Sequence, residues 1–279
     1  MKYNPKIYVL VQVRTSSSRL FGKCLFYIKN KELILLLYKR LKSNNYKTVI
    51  LTSNHKSDNY LSNLLRKNRI NFYRGNLNNV RKRFLDFTSN FHENDIIVRC
   101  TADNLFIDKN IINHLLKKFQ KSKKYYLKID REKSLLPYGM SVEIFSVGNL
   151  RKVKAKNKFD EEHLTPPFKR NKKDIENVKI NYVYDLYNKR CTIDTLKDYI
   201  TVKYIFENFN NNVKTKWQKL CNDLYRLNNN TIKREILKKF DKITLGKKQF
   251  GFQYGFHSKT NKAKDKKISS ILNYTKKFK

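Results

Sequence analysis

The chain has 279 residues, of which 40% are hydrophobic, enough for one large core and a small appendage. Its formal net charge is +39, but the basic residues are spread along the chain and accompany abundant Asn, Ile, Phe and Tyr, all types with A/T-rich codons, so nucleic acid is set aside as the main partner. No apolar run approaches the roughly 20 residues that span a bilayer, no apolar signal region precedes the first strand, and Cys24, Cys100, Cys191 and Cys221 form no metal-binding cluster; the chain reads as cytoplasmic, with reduced, mostly buried thiols.

In chain order, apolar runs predict strands at residues 6–13, 48–52, 71–74, 95–100 and 125–129. Helical spacing falls between them at 31–41, 58–67, 79–87 and 110–119. Such alternation implies an α/β fold, a mostly parallel central sheet with helices on both faces. A further strand is expected at 140–146, after the turn Pro137-Tyr138-Gly139. Beyond Asn157 the chain reads as irregular as far as Pro166-Pro167. A short strand at 190–193 then leads into a helix at about 195–209. Two more helices are expected between 213 and 240, the second capped by Thr231. The domains expected are a main domain over 1–210, a helical extension over 211–240 and a separate tail over 241–279.

The first strand runs directly into "VQVRTSSSRLFGK" at residues 11–23. In parallel sheets, ligands gather at the carboxyl ends of strands. A loop of small residues there can turn main-chain N–H groups toward an anion, with hydroxyls from Ser16, Ser17 and Ser18 and charge from Arg14, Arg19 and Lys23. A polyphosphate is the ligand implied, and a solvated basic turn is the plain alternative. Asp103 and Asp194 each end a predicted strand. Two such aspartates can hold Mg²⁺, a hard cation that takes oxygen ligands and phosphate; capping of the next helix is the alternative, above all for Asp194. Arg74 and Gly75 follow a strand and are candidate nucleotide contacts. Thr52 and Ser53 are candidate linings of the base or ribose pocket. Arg99, inside an apolar strand, needs an anionic partner, a structural carboxylate such as Asp194 being the alternative to a nucleotide.

The opening stretch resembles the Q-A-R-x-G-S-x-R-L-P-G-K signature of the spore coat polysaccharide biosynthesis protein F type of cytidylyltransferase, a group related to cytidylyltransferases of sugar acids. Gln12, Arg14, Ser17, Arg19, Leu20, Gly22 and Lys23 match; Val13, Ser16 and Phe21 depart. Later blocks agree in order: "FYRGNLNNVRKRF", "VRCTADNLFID", "LPYGMSVEIFS", "EEHLTPPF" and "CTIDTLKDY". The resemblance covers about residues 6–209. It implies a nucleotide-diphospho-sugar-transferase fold and transfer of CMP from CTP to a sugar acid, with Mg²⁺ as cofactor, for surface polysaccharide synthesis. It further implies catalytic roles for Arg14, Arg19, Lys23 and Asp103, and metal ligation by Asp103 and Asp194. Gln12, Ser17, Ser18, Thr52, Ser53, Arg74, Gly75 and Arg99 fall to the nucleotide, and Gly139, Glu143, Glu162 and His163 to the sugar. Ser16 and Ser141, where the family carries Gly and Asp, bear on turnover and on the sugar's identity. A glycosyltransferase of the same fold and a degenerate nucleotide-binding paralogue are the alternative functions; a homodimer is left open.

The tail, "ITLGKKQFGFQYGFHSKTNKAKDKKISSILNYTKK", resembles the opening of an aldo/keto reductase. A reductase barrel needs eight strand–helix units, and this stretch offers material for one. It is expected to be loosely packed and without reductase activity.

Overall fold

The computed structural model describes residues 3–236 except positions 229 and 233. The main elements run β1 (Ile7–Gln12), β2 (Tyr27–Ile28), β3 (Lys31–Glu32), α1 (Leu33–Leu41), β4 (Lys47–Ser53), α2 (Asn59–Lys67), β5 (Phe72–Gly75), α3 (Val80–Phe87) and β6 (Ile96–Thr101). They continue with α4 (Lys109–Lys121), β7 (Tyr126–Ile129), β8 (Glu143–Ser146), α5 (Val147–Lys152), α6 (Lys158–His163), β9 (Ile175–Val178), α7 (Leu196–Asn208) and α8 (Trp217–Arg226). Among the described residues a seven-stranded sheet has the order β5-β4-β1-β6-β8-β7-β9. Strand β8 runs antiparallel to both of its neighbours; the other pairings are parallel. From β1 the chain moves to β4 and β5 on one side and returns to β6 on the other. The switch point at the carboxyl ends of β1 and β6 is where such sheets open a crevice.

The sheet is buried on both faces, as a parallel sheet between helices should be. Side chains alternate along each strand. Val9, Val11, Ile50, Val98, Leu127 and Ile144 enter the larger core. Leu10, Val49, Leu51, Ile97, Tyr126 and Phe145 enter the smaller one. On this second face the apolar row stops abruptly toward the crevice. Two residues past Leu10, Ile97 and Tyr126 stand Gln12, Arg99 and Lys128, and two before Phe145 stands Glu143. The register aligns Arg99 with Glu143 and Glu143 with Lys128. A charged row thus crosses β6, β8 and β7 beside Gln12 at the end of β1.

Most expected elements are present, and the differences have local causes. Residues 31 and 32 belong to a hairpin rather than to α1, because Lys29 and Asn30 both take positive φ (48° and 61°), the two-residue turn that joins twisted strands. The expected strand at 140–146 begins only at Glu143. The stretch beyond Asn157 is not irregular: the Asn157 side chain accepts from the N–H of Asp160 and starts α6, which carries Glu162 and His163. Residues 190–193 form no strand beyond a single bridge between Tyr138 and Arg190. Their N–H groups divide between two partners instead of running along a ladder. Cys191 and Thr192 donate to Tyr138 O, and Ile193 donates to Asp103 O at 3.0 Å. Thr231 is not the expected N-cap, since positions 230–232 are already helical. In α8, Trp217, Leu220, Cys221 and Leu224 join the larger core, so this helix packs as part of the main body. All four cysteines are buried free thiols. No described helix is long and apolar enough to cross a membrane. The reductase-like tail at 241–279 lies outside the described residues.

Gly139 holds the crossing together. It sits at φ +111°, and a Cβ there would stand 2.5 Å from Thr192 N. The G139A variant should therefore lose about 1–3 kcal/mol of stability, read as a lower denaturant midpoint at unchanged m-value.

Candidate functional site

A cleft of about 800 Å³ opens at the switch point. Its described lining includes eight Arg or Lys side chains and four carboxylates, so charge pairing decides its shape.

The loop after β1 is fixed from below by a residue that sequence reasoning missed. Asp58, fully buried, accepts from the N–H and hydroxyl of Thr15 at 2.8 and 2.6 Å. It also accepts from the hydroxyls of Thr52 and Ser53 and from the N–H of Ser53. Burial works to raise the Asp58 pKa, but these hydrogen bonds outweigh it and hold the pKa below the usual carboxylate range. The carbonyl of Thr15 in turn accepts from Ser17 N at 2.9 Å and Gly22 N at 2.8 Å. Gly22 takes the left-handed conformation (φ 67°), which lets the chain close back toward Lys23. Ser16 is not among the positive-φ residues, so the backbone there does not demand the family's glycine.

Thr52 and Ser53 are thus bound to Asp58 and fully buried, and do not line the cleft. Arg74 also lies outside it, donating to Ser53 O, His55 O and Asn59 Oδ1. Gly75 sits beneath Arg83, where a Cβ would meet Arg83 Cγ at 2.8 Å. Strand-end position alone did not reveal that Thr52 and Ser53 hold Asp58 beneath the loop, or that Arg74 is taken up by the turn after β4. The other sequence-identified candidates, Gln12, Arg14, Ser17, Ser18, Arg19, Lys23, Arg99, Asp103, Gly139, Glu143, Glu162, His163 and Asp194, all line the cleft.

At the centre, Lys23 Nζ donates to Asp103 Oδ2 at 2.8 Å, Asp194 Oδ1 at 2.9 Å and Ile193 O at 2.7 Å. Arg19 reaches the same Asp194 oxygen at 2.8 Å, and Arg190 reaches the other at 3.2 Å. Asp194 is not a helix cap. Thr195 caps α7 in a reciprocal box with Asp198, which leaves the Asp194 carboxylate facing the cleft. Asp103 accepts from Thr101 Oγ1 at 2.7 Å. Burial works to raise its pKa, and Lys23 with the Thr101 hydroxyl more than offsets this, so it stays below its ordinary value. Two carboxylates thus converge on the one amine of Lys23. That donor set fits a hard divalent cation whose remaining ligands come from phosphate or water; no group of three or more metal-ligating side chains exists among the described residues.

On the far side, Arg99 pairs with Glu143, not with Asp194, and donates to Gln12 Oε1 at 2.9 Å. Glu143 also takes Lys169 at 2.9 Å, the Thr165 hydroxyl at 3.0 Å and the Tyr126 hydroxyl. Its carboxylate is thus fully occupied by protein groups. Across the mouth, Arg14 pairs with Glu162 of α6 at 2.8 Å. Lys128, Arg131, Lys169 and Arg83 are cleft residues that sequence reasoning passed over. Arg83 lies inside a quoted motif block; Lys128 carried a weaker signal, a lone charge in an apolar strand.

A family model for cytidylyltransferases matches residues 8–242. The chain belongs to the cytidylyltransferase family. A relative in Methanocaldococcus jannaschii, the uncharacterized protein MJ1063, is 31% identical over 206 residues, covering 70% of this chain and 80% of its own. A solved cytidylyltransferase from Leptospira borgpetersenii serovar Hardjo-bovis is 26% identical and superposes with a TM-score of 0.73 over 82% of this chain and 97% of that one. CMP:2-keto-3-deoxy-manno-octonic acid synthetase, solved with CTP, superposes at 0.55 over 73% and 99%; at 13% identity that likeness is one of fold. This cytidylyltransferase therefore carries a nucleotidyltransferase fold, with its charged cleft at the switch point of the sheet.

The buried Glu143 makes a pH prediction. Burial raises its pKa, but Arg99 and Lys169 outweigh burial and bring it down from 4.5 to about 2. A depressed carboxylate contributes stability above its unfolded pKa and loses it as pH falls through the folded value. The stability gap between wild type and Glu143→Gln should be widest above pH 4.5 and close toward about pH 2, as followed by denaturant titration at stepped pH.

Proposed function

We propose that this cytidylyltransferase transfers CMP from CTP to a sugar acid, for surface polysaccharide synthesis. The hydroxyl oxygen of the acceptor gives up its proton to solvent and attacks the α-phosphorus, the bond from that phosphorus to the β-phosphate oxygen breaks, and pyrophosphate leaves. The observation that carries the reading is the meeting of the cationic loop at residues 14–23 with the Asp103–Asp194 pair in one cleft. Arg14, Arg19 and Lys23, with the hydroxyls of Ser17 and Ser18, take the triphosphate. Thr52 and Ser53 serve it indirectly, by holding the loop through Asp58, and Arg74 and Gly75 by fixing the neighbouring turn after β4. Asp103 and Asp194 hold Mg²⁺, which when bound offsets charge on the α-phosphate. The acceptor lies toward Gly139 and toward Glu162 and His163 of α6, with Glu143 fixing the cationic wall rather than touching the sugar. The spore coat F type of cytidylyltransferase supplies the resemblance behind the sugar-acid assignment. Activity is assigned to residues 8–242, the span of the family match, with the reductase-like tail taking no part.

The direct test is release of pyrophosphate from CTP on addition of a panel of sugar acids, with UTP and ATP as controls. Release with no CTP dependence, or release of a nucleoside diphosphate from a nucleotide sugar, contradicts the proposal. Lys23→Ala should weaken CTP binding by about 1.5–3 kcal/mol, the value of a hydrogen bond to a charged group, as measured by calorimetric titration. Asp103→Asn should remain folded and lose on the order of a hundredfold or more in pyrophosphate release. A chain ending at residue 242 should bind CTP as the full chain does.

A further inference from the structure

Basic residues occur throughout the chain, but three runs are denser than the rest. Lys and Arg make up 62 of the 279 residues overall, yet five of eight over 117–124, four of six over 151–156 and three of four over 170–173, with no acidic residue in any of these runs. The fold joins them. Tyr125, directly after the first run, donates its N–H to Asp174 O and accepts at its carbonyl from Asn149 Nδ2, both at 3.1 Å. Lys124 Nζ donates to Lys173 O at 2.7 Å, and Arg170 Nη1 donates to Lys154 O at 3.3 Å. One basic surface results, with Tyr125, 51% exposed, at the junction.

The two arginines of this surface are already engaged. Arg151 Nη2 donates to the carbonyls of Thr88, Ser89 and Phe91 at 2.9, 3.0 and 3.0 Å, and Arg170 pairs with Asp160. The lysines of the three runs are all exposed, and among the described residues no carboxylate pairs with any of them. None of them lines the cleft. The surface also lies apart from it along the strands. Tyr126 shares a register row with Phe145, Ile97 and Tyr8. Gln12, which lines the cleft, stands four residues beyond Tyr8, about 13 Å at ordinary strand rise. The lysine excess is therefore not spent on the triphosphate.

The residue types choose between polyanions. Base reading in nucleic acid draws on the planar fork of arginine, and both arginines here are taken up by the protein. Lysines are compact point charges on flexible stems, which suit the diffuse negative charge of a lipid headgroup layer. An exposed tyrosine among them suits the same layer, where such rings settle at headgroup level. We propose that the surface formed by residues 117–125, 151–156 and 170–173 docks this protein on an anionic bilayer, held by its lysines, with the cleft left open. The contact is peripheral and electrostatic, and it is independent of the reaction assigned to the cleft.

The test is co-flotation of the full chain with vesicles of phosphatidylcholine alone, or with about one-third phosphatidylglycerol, at about 0.15 M salt. The protein should float with the anionic vesicles and not with the neutral ones. Combining Lys121→Gln, Lys123→Gln, Lys154→Gln and Lys172→Gln should lower partitioning on the order of a hundredfold or more, at about fivefold for each lysine near the surface. A control variant combining Lys29→Gln, Lys31→Gln, Lys39→Gln and Lys42→Gln removes the same charge from exposed positions in and beside the β2–β3 hairpin and α1. It should change partitioning less than about threefold, because charges beyond a Debye length of the lipid are screened. Both variants should keep the wild-type Tm. Absence of binding to the anionic vesicles, or an equal loss in the two variants, overturns the proposal. So does displacement of the protein from vesicles by saturating CTP, which would put the lipid phosphate in the cleft. Tighter binding, per phosphate, to a mixed-sequence RNA that depends on the same four lysines overturns it in favour of nucleic acid.

Discussion

The ammonium of Lys23 lies between Asp103 and Asp194 and ties three distant parts of the chain into one wall. Lys23 follows the first strand, Asp103 follows β6, and Asp194 precedes α7. Partly buried carboxylates brought this close together repel each other unless a cation lies between them. The sequence meets that demand with Lys23 and reinforces it with Arg19 and Arg190 on Asp194. The main-chain bond from Ile193 N to Asp103 O fixes the same junction. Charge balance therefore dictates where the loop, the sheet edge and the C-terminal segment meet. In the proposed function the same balance is used, since an incoming polyphosphate and its cation would exchange partners with groups that already neutralise each other.

A further carboxylate sets the loop's own shape. Asp58 gathers Thr15, Thr52 and Ser53 into one buried cluster, so the loop leaves β1 at a fixed angle. A fourth, Glu143, does the equivalent for the opposite wall by holding Arg99 and Lys169. The cleft is thus organised by four buried or half-buried carboxylates, each surrounded by donors. Buried ionised groups are kept this way only when hydrogen bonds and opposite charges offset their desolvation.

Much of this was legible in the sequence because the strands are apolar runs bounded by polar loops. The loop at residues 11–23 and the aspartates after β6 and before α7 stood out because small, cationic and acidic residues at strand ends have few structural uses. Side-chain direction was not legible. Thr52 and Ser53 end a strand just as Gln12 does, yet they turn toward Asp58, a residue with no motif around it. Residues 190–193 read as a strand because β-branched Thr192 and Ile193 follow Cys191, but the N–H groups of 191–193 serve Tyr138 and Asp103 instead of a ladder. Helix α6 was hidden by its polar composition, since its start depends on the Asn157 cap rather than on an apolar stripe. The partner of Arg99 was equally invisible, because register between β6 and β8 is a long-range property.

The central claim is that the cleft is built for CTP. A thermal-shift screen of CTP, UTP, ATP and GTP, each with and without Mg²⁺, tests it most directly. A ligand that binds only the folded state, present at a hundred times its Kd, adds about 2.7 kcal/mol of stability. For a domain of this size that corresponds to a rise in Tm of roughly 5–10 °C. The account predicts such a rise for CTP with Mg²⁺ and a smaller one for each other nucleotide. An equal response to ATP or UTP, or no response to any nucleotide, would contradict it.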